Sequence, residues 1–384
     1  MKERINNMGY VAVTGGQKAI EGAEKLVHLY RLQAAKQALP TEEIRSQMRL
    51  LIDRVMGEGG LYAPGYASLA LKQAEGDPSE AAFLLRAYRS TLPRNHYSLT
   101  VEPGNMRVIR RISSAFKDIP GGQLLGPTYD YTHRLLNFEL RQEDQQAIIS
   151  FLQELEIDIE SEETLDSFPK VVELLKDQKL MADRQAVEDE PFDVTREKLS
   201  FPLPRSARLQ LLARGETGAM TAFAYSSMRG YGAVHPTIGE LRVGYTDVYI
   251  PYPYGSGKDE EDSIYIGEML LTEVETINSF TQNDQGDVEF MLGYGLTMGQ
   301  NEVKAISMAI LERSLDTQGH SPTQDEEFVL LHIDSVEAHG FVSHLKMPHY
   351  ITFQSSLDRI RQAQNTGKHQ AQNVGKDEQH VSAD

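Results

Sequence analysis

Apolar residues recur at helical spacing through most of the first hundred positions. "GYVAVTGGQKAIEGAEKLVHLYRL" reads as a short strand, a turn at Gly15-Gly16 and then an apolar-striped helix. Helical patterns follow at 41–56, 65–75 and 79–91, separated by the breakers "GEGG" and "GDPS". "RVIRRISSAF" satisfies both the helical and the strand period. Residues 120–140, "PGGQLLGPTYDYTHRLLNFEL", predict a glycine- and proline-rich loop that runs into an alternating strand. In such a strand Tyr129, Tyr131 and His133 share one face, and Asp130 and Arg134 take the other.

The pattern changes after "FPLPRSARLQLLARGE". "GELRVGYTDVYI" and "SIYIGEMLLTEVETINSF" carry the β-branched and aromatic residues of strands. "NEVKAISMAILERSL" predicts a helix with Val303, Ile306, Ile310 and Leu311 on its core-facing stripe. "QDEEFVLLHIDSVEAHG" predicts another, with Gly340 at its C-cap. No internal repeat is present. The fold class predicted is α+β, a helical N-terminal half joined to a β-rich C-terminal half. Residues 1–7 form a lead-in before a second methionine, Met8. Residues 8–140 form the α-rich region, 141–200 a peripheral acidic insert and 201–361 the C-terminal α+β region. The polar stretch 362–384 is expected to be disordered.

Composition narrows the function. No apolar run approaches membrane-spanning length, and the N-terminus lacks the apolar stretch of a signal peptide, so a cytoplasmic protein without membrane contact is expected. The net charge of −18 argues against nucleic acid as a partner. Much of the excess lies in 141–200, with 17 acidic residues against 7 basic ones. By contrast "MRVIRRISSAFK" holds Arg107, Arg110, Arg111 and Lys117 and no acid. The absence of cysteine removes thiolate nucleophiles, zinc–thiolate sites and any iron–sulfur cluster held by this chain. A metal would need His, Asp or Glu.

Several stretches carry candidate chemistry. Gly121 and Gly122, with Gly126, permit a ligand to approach the backbone closely, ahead of Asp130, His133 and Arg134; a turn with an edge strand explains the same residues. "VTGGQK" is a weak anion site at a helix start. "YGSGKDE" fails as a phosphate loop, because Tyr252 stands where glycine is required and Asp259 where Ser or Thr is. "GYGLTMGQ" reads as tight backbone packing. Glu273 and Glu275 in "LLTEVETI" suit acid–base chemistry or an exposed strand face. His344 and His349, in "GFVSHLKMPHY", would lie about 140° apart on a helix and on opposite faces of a strand. They converge only if the backbone bends, for which Pro348 supplies a reason. Two histidines leave a zinc shell open, and an ordinary turn remains the alternative.

Taken together, "YVAVTGGQKAI", "DRVMGEGG", "ALKQAEGD", "AAFLLRAYRSTL", "RRISSAFKDIPGGQLLGPTYDYTHRLL", "QDEEFVLLH" and "GFVSHLKMPHY" resemble the PhnI family, the I subunit of the bacterial carbon–phosphorus lyase core complex. The resemblance covers nearly the whole chain outside 1–7, the acidic stretch and the tail. It implies work with the G, H and L subunits, replacing the adenine of ATP by an alkylphosphonate to give α-D-ribose 1-phosphonate 5-triphosphate. It also implies nucleosidase activity on ATP or GTP by the chain alone, self-association within the complex, and a J subunit that later cleaves the carbon–phosphorus bond. His344 and His349 correspond to zinc ligands near that J subunit. For the chemistry, Asp130 or Glu273 is expected to stabilise charge at the anomeric carbon and His133 to protonate the base. Arg107, Arg110, Arg111 and Arg134, with Gly121 and Gly122, are expected to hold phosphates. The rival readings are a free-standing metal-dependent nucleosidase and a non-catalytic scaffold that completes a partner's zinc site.

Overall fold

A computed structural model describes residues 16–155, 169–182, 190–231, 236–254, 263–282, 285–317 and 319–380. The lead-in, the strand expected before Gly15 and most of "YGSGKDE" fall outside these residues. The chain divides into two compact units, Met1–Asp334 and Ser335–Asp384. No helix among the described residues is long and apolar enough to cross a membrane.

The first unit begins with helices α1 (Gln17–Leu32), α2 (Thr41–Gln47), α3 (Arg49–Gly59), α4 (Pro64–Gln73) and α5 (Pro78–Arg89). The single helix expected over 41–56 is two, broken at Met48, whose φ of −118° and ψ of 41° leave helical space. Gly60, at φ 66°, takes the left-handed cap of α3. Asp77 starts α5 by accepting the N–H groups of Ser79 and Glu80 at 2.8 and 3.1 Å. Ile52, Val55, Met56, Ala67, Leu71 and Leu85 then close a small helical core.

The ambiguous "RVIRRI" is a strand, β1 (Arg107–Ile112). It pairs with β2 (Thr237–Pro251), which pairs with β3 (Ser263–Gln282) and then β4 (Val288–Met298), all antiparallel. Period-2 alternation assigns the faces. Leu241, Val243 and Val274 pack with Ala305 and Ala309 of the helix α10 (Glu302–Leu315). That contact is close because Gly293 and Gly295 lack side chains: a Cβ on Gly295 would lie 2.1 Å from the Ala305 carbonyl oxygen. The expected stripe of α10 is partly displaced. Val303 is exposed while Lys304 is fully buried, because small residues rather than branched ones meet the sheet. The far side of α10 packs with α8 (Arg205–Arg214), α9 (Thr217–Ser226) and α11 (Glu326–His332) through Met220, Met308, Leu311, Leu315 and Ile333.

Three expectations need correction. Residues 127–137 form turns rather than a strand; only Leu124 bridges to β1, at Arg111. The acidic stretch is not wholly peripheral. After α6 (Gln145–Glu154) it contributes α7 (Val171–Asp177), whose Val172 and Leu175 pack with Met181 on the sheet; the average charge had concealed this apolar spacing. "QDEEFVLLHIDSVEAHG" is two helices, α11 and then α12 (Ser335–Ser343), so Gly340 lies inside α12 and caps nothing.

The second unit is α12, a 3₁₀ turn at His344–Lys346 and α13 (Tyr350–His380). The tail expected to be disordered is helical as far as His380. Gln, Ala, Lys and Glu are good helix formers even without an apolar stripe.

Candidate functional site

On the side of the sheet away from α10, six charged side chains are held together. Strand register places Arg111 beside Arg242 and Arg242 beside Glu273, and in the next row Glu240 beside Glu275 and Glu275 beside Tyr294. Lys170, just before α7, completes the group. Its Nζ donates to Glu273 Oε1 at 2.7 Å and to Glu275 Oε1 at 3.4 Å. The Tyr294 hydroxyl donates to the same Glu273 oxygen at 3.1 Å. Arg111 Nε donates to Glu240, whose second oxygen accepts the Val171 N–H at 3.0 Å.

Three carboxylates face three cations, so the group is neutral overall yet deeply desolvated. Burial pushes Glu275 up to about 7, against the pull of Lys170 and reinforced by Glu273 and Glu240. Burial also lowers Lys170, but Glu275 and Glu273 outweigh it and the net direction is upward. The Tyr294 hydroxyl is raised by burial and by Glu273. Glu273 Oε2, Glu275 Oε2 and Arg242 Nε and Nη1 are buried with no hydrogen-bond partner among the described residues. Chemically, the group holds a proton on a carboxyl near neutral pH beside an acceptor carboxylate.

Of this group Arg111, Glu273 and Glu275 carry candidate chemistry in the sequence, and the burial of both glutamates excludes the exposed strand face that was their alternative. Glu240, Arg242, Tyr294 and Lys170 were missed. The alternation of charged with apolar residues in "GELRV" and "TEVET" was the signal available, since period 2 puts those charges on one face.

The glycine loop is organised differently. Arg110 and Arg111 are adjacent in β1 and therefore point to opposite faces. Arg110, paired in register with Val243, lies on the α10 side. Its guanidinium meets Asp130 at 2.5 Å and Glu302 at 3.1 Å, and it donates to the Leu125 carbonyl. Arg134 reaches Asp130 at 3.3 Å. Arg111 donates to the Pro120 carbonyl on the other side. The loop thus turns its carbonyls toward the arginines, with Gly121 and Gly122 at φ 79° and 74°. Asp130 and Glu273 lie on opposite sides of the sheet, and His133 is exposed on the loop. The structure joins Asp130, Arg110 and Arg134 and separates them from Glu273 and Arg111. Arg107 is more exposed and pairs with Glu268 at 2.7 Å.

In the second unit the bend expected at Pro348 is present. The ring centroids of His344 and His349 are 5.1 Å apart. His344 Nδ1 faces the Phe341 carbonyl, and His349 Nδ1 faces the Met347 carbonyl at 2.6 Å. Each Nδ1–H donates to a carbonyl, which leaves both Nε2 lone pairs for another partner. Two imidazoles on one tetrahedral zinc place their centroids roughly 5 Å apart, given Zn–N bonds of about 2.0–2.1 Å. The pair fits that metal as two ligands. Among the described residues no group of three metal-ligating side chains is present.

A family model described as "Bacterial phosphonate metabolism protein (PhnI)" matches residues 9–367. The chain is 45% identical to the alpha-D-ribose 1-methylphosphonate 5-triphosphate synthase subunit PhnI of Escherichia coli (strain K12), over 93% of this chain and 100% of that one. Identity to the protein of the same name from Rhizobium meliloti (strain 1021) is 41%, over 95% and 97%. Identity to HtxH of Stutzerimonas stutzeri is 50%, over 93% and 96%.

Proposed function

The chain belongs to the PhnI family of bacterial phosphonate metabolism proteins, and from that premise we propose that it acts as a catalytic subunit of a carbon–phosphorus lyase assembly. With G, H and L partners it replaces the adenine of ATP by an alkylphosphonate, giving α-D-ribose 1-phosphonate 5-triphosphate. Alone, with water as nucleophile, it releases the base from ATP or GTP.

The observation that supports the subunit role is a run of exposed large apolar side chains between Leu135 and Leu155. Leu135 and Leu136 are each 83% exposed, followed by Phe138, Leu140, Ile148, Ile149, Phe151, Leu152 and Leu155, all exposed. Helix α1 likewise buries none of its own residues. Exposed apolar side chains concentrated in one segment suit a protein interface.

Displacement at an anomeric carbon needs a carboxylate near the developing positive charge and a proton for the leaving base. Glu273 and Glu275 supply that pair in this reading, with Asp130 and His133 on the loop as the second candidate pair. Incubating the pure chain with ATP and quantifying free adenine tests the nucleosidase activity. Adding G, H and L partners with methylphosphonate should divert ribose triphosphate into a phosphonate ester visible by phosphorus NMR. No adenine release under either condition would leave the chain a scaffold.

His344 and His349 are the residues that would hold zinc, which supplies Lewis-acid or structural chemistry when bound. Two ligands from one chain retain metal weakly, and a partner or substrate must complete the shell. Replacing both histidines by Ala should abolish stoichiometric zinc in the assembled complex while adenine release persists. Undiminished zinc by elemental analysis would return the pair to an ordinary turn.

A further inference from the structure

β1 leaves β2 at the Arg107–Tyr245 pair, and the chain touches β2 again at Leu99, whose N–H donates to the Tyr249 carbonyl at 2.8 Å. Between these two contacts lies a cleft of about 490 Å³, within the size range of small-molecule sites. Arg107, Tyr245, Asp247, Tyr249 and Glu268 line it, together with Glu102 and Asn105. None of the chemistry above uses it except for Arg107, which the sequence reading assigned to phosphate.

We infer that this cleft, on the side of the sheet that carries Asp130 rather than Glu273, is the subsite for the purine base and ribose of the nucleotide, with the phosphates held elsewhere; this rests on the nucleotide reading above with Asp130 and His133 as its catalytic pair. The electrostatics set the direction. Three carboxylates, of Glu102, Asp247 and Glu268, face one guanidinium, and Glu268 already neutralises Arg107 at 2.7 Å. A polyphosphate entering this cleft would meet net negative charge. A purine base and a ribose present N–H and O–H donors, which carboxylates accept strongly. A base that gains a proton as it leaves is also favoured there.

The walls suit a flat heterocycle. The Arg107 guanidinium lies 4.8 Å above the Tyr245 ring, so the ion pair with Glu268 and the ring together hold it as a planar surface. Tyr249 packs against Tyr265 at 5.5 Å and keeps its hydroxyl 3.5 Å from Asp247. Aromatic rings beside carboxylates offer stacking and hydrogen-bond acceptance together, the combination by which proteins read bases. Arg107 then acts as a base platform rather than a phosphate clamp.

The test uses the full chain, titrated calorimetrically with adenosine and separately with inorganic tripolyphosphate. Asp247→Asn and Tyr249→Ala alter exposed or half-exposed side chains, so melting temperature should be retained and serves as the folding control. Each substitution should weaken adenosine binding about tenfold, the loss expected for one charge-assisted hydrogen bond or one stacking contact. Tripolyphosphate affinity should not move. Adenosine that fails to bind, or binds equally well to wild type and both variants, overturns the subsite. Weakened tripolyphosphate binding in the variants overturns it as well. Base release from ATP is measured in parallel to separate the two readings. Adenosine binding that depends on both residues, with no base release by wild type, overturns the nucleosidase activity and leaves the subsite standing.

Discussion

The sheet buries its two faces by different physics. Toward α10, beyond the Arg110–Glu302 pair at the helix start, the contact is apolar and steric: Leu241, Val243 and Val274 meet Ala305 and Ala309, and glycines let the helix backbone approach. On the opposite face the same strands bury Glu240, Arg242, Glu273, Glu275 and Arg111, and the half-buried Tyr294 reaches Glu273. The first face tolerates no added atom. The second tolerates no lost partner, because each charge there has been stripped of water and depends on its neighbours. The steric face therefore specifies where the sheet sits, while the charged face holds one carboxyl, that of Glu275, near neutrality inside the protein.

The largest effect is expected on the charged face. Arg111→Ala removes the guanidinium that meets Glu240, a carboxylate only 2% exposed. Breaking a buried pair from one side costs about 3–5 kcal/mol. Chemical denaturation should show that loss, whereas Arg111→Ala combined with Glu240→Gln should recover part of it. No recovery in the double variant would mean that Arg111 acts by packing rather than by charge.

Next is the steric face. In Gly295→Ala the new Cβ meets the Ala305 carbonyl at 2.1 Å, and in Gly293→Ala it meets the Ala309 carbonyl at 2.4 Å. Backbone on both sides leaves little room to relax, so either change should cost roughly 3 kcal/mol. A melting temperature within a degree of wild type would show that α10 slides freely over the sheet.

Glu275→Gln sharpens the contrast through pH. The carboxyl is raised from 4.5 to about 7, chiefly by burial. The folded state therefore binds its proton more tightly than the unfolded state does. The group costs nothing below pH 4.5, and its cost grows at about 1.4 kcal/mol per pH unit up to about pH 7, levelling off at roughly 3 kcal/mol above it. The Gln variant, which cannot ionise, should gain on wild type from pH 5 to pH 8. Parallel stability curves for the two proteins over that range would mean that Glu275 ionises freely.

How much of this was legible in the sequence follows from the two kinds of burial. Strands β2 and β3, helix α10 and the tight packing of "GYGL" were readable because apolar period and glycine spacing report local geometry. The bend between His344 and His349 was readable because proline restricts its neighbours. The grouping of Lys170 with Glu273 was not, since 103 residues separate them and only the fold brings α7 onto the sheet. The break at Met48 and the turns after Pro127 were hidden as well: both places are solvent-exposed, so the local pattern there fits a longer element without burial to enforce one. Alternation also misled in one place. "RVIRR" reads as a single basic strip, but a strand sends Arg110 and Arg111 to opposite faces, where different carboxylates wait for them.

The smallest expected effect isolates that last point. Arg107 belongs to the same strand and the same basic run as Arg111, yet its side chain is 62% exposed and its partner Glu268 39%. Water screens such a pair, and holding two long side chains in register consumes much of the attraction. Arg107→Ala should change stability by less than about 1 kcal/mol, and the change should shrink further in high salt. The comparison with Arg111→Ala keeps strand, residue type and substitution constant and varies only burial. If the two variants lose equal stability, exposure is not what separates these arginines. If Arg107→Ala loses little stability but weakens adenosine binding, the exposed arginine serves the cleft and the buried one serves the fold.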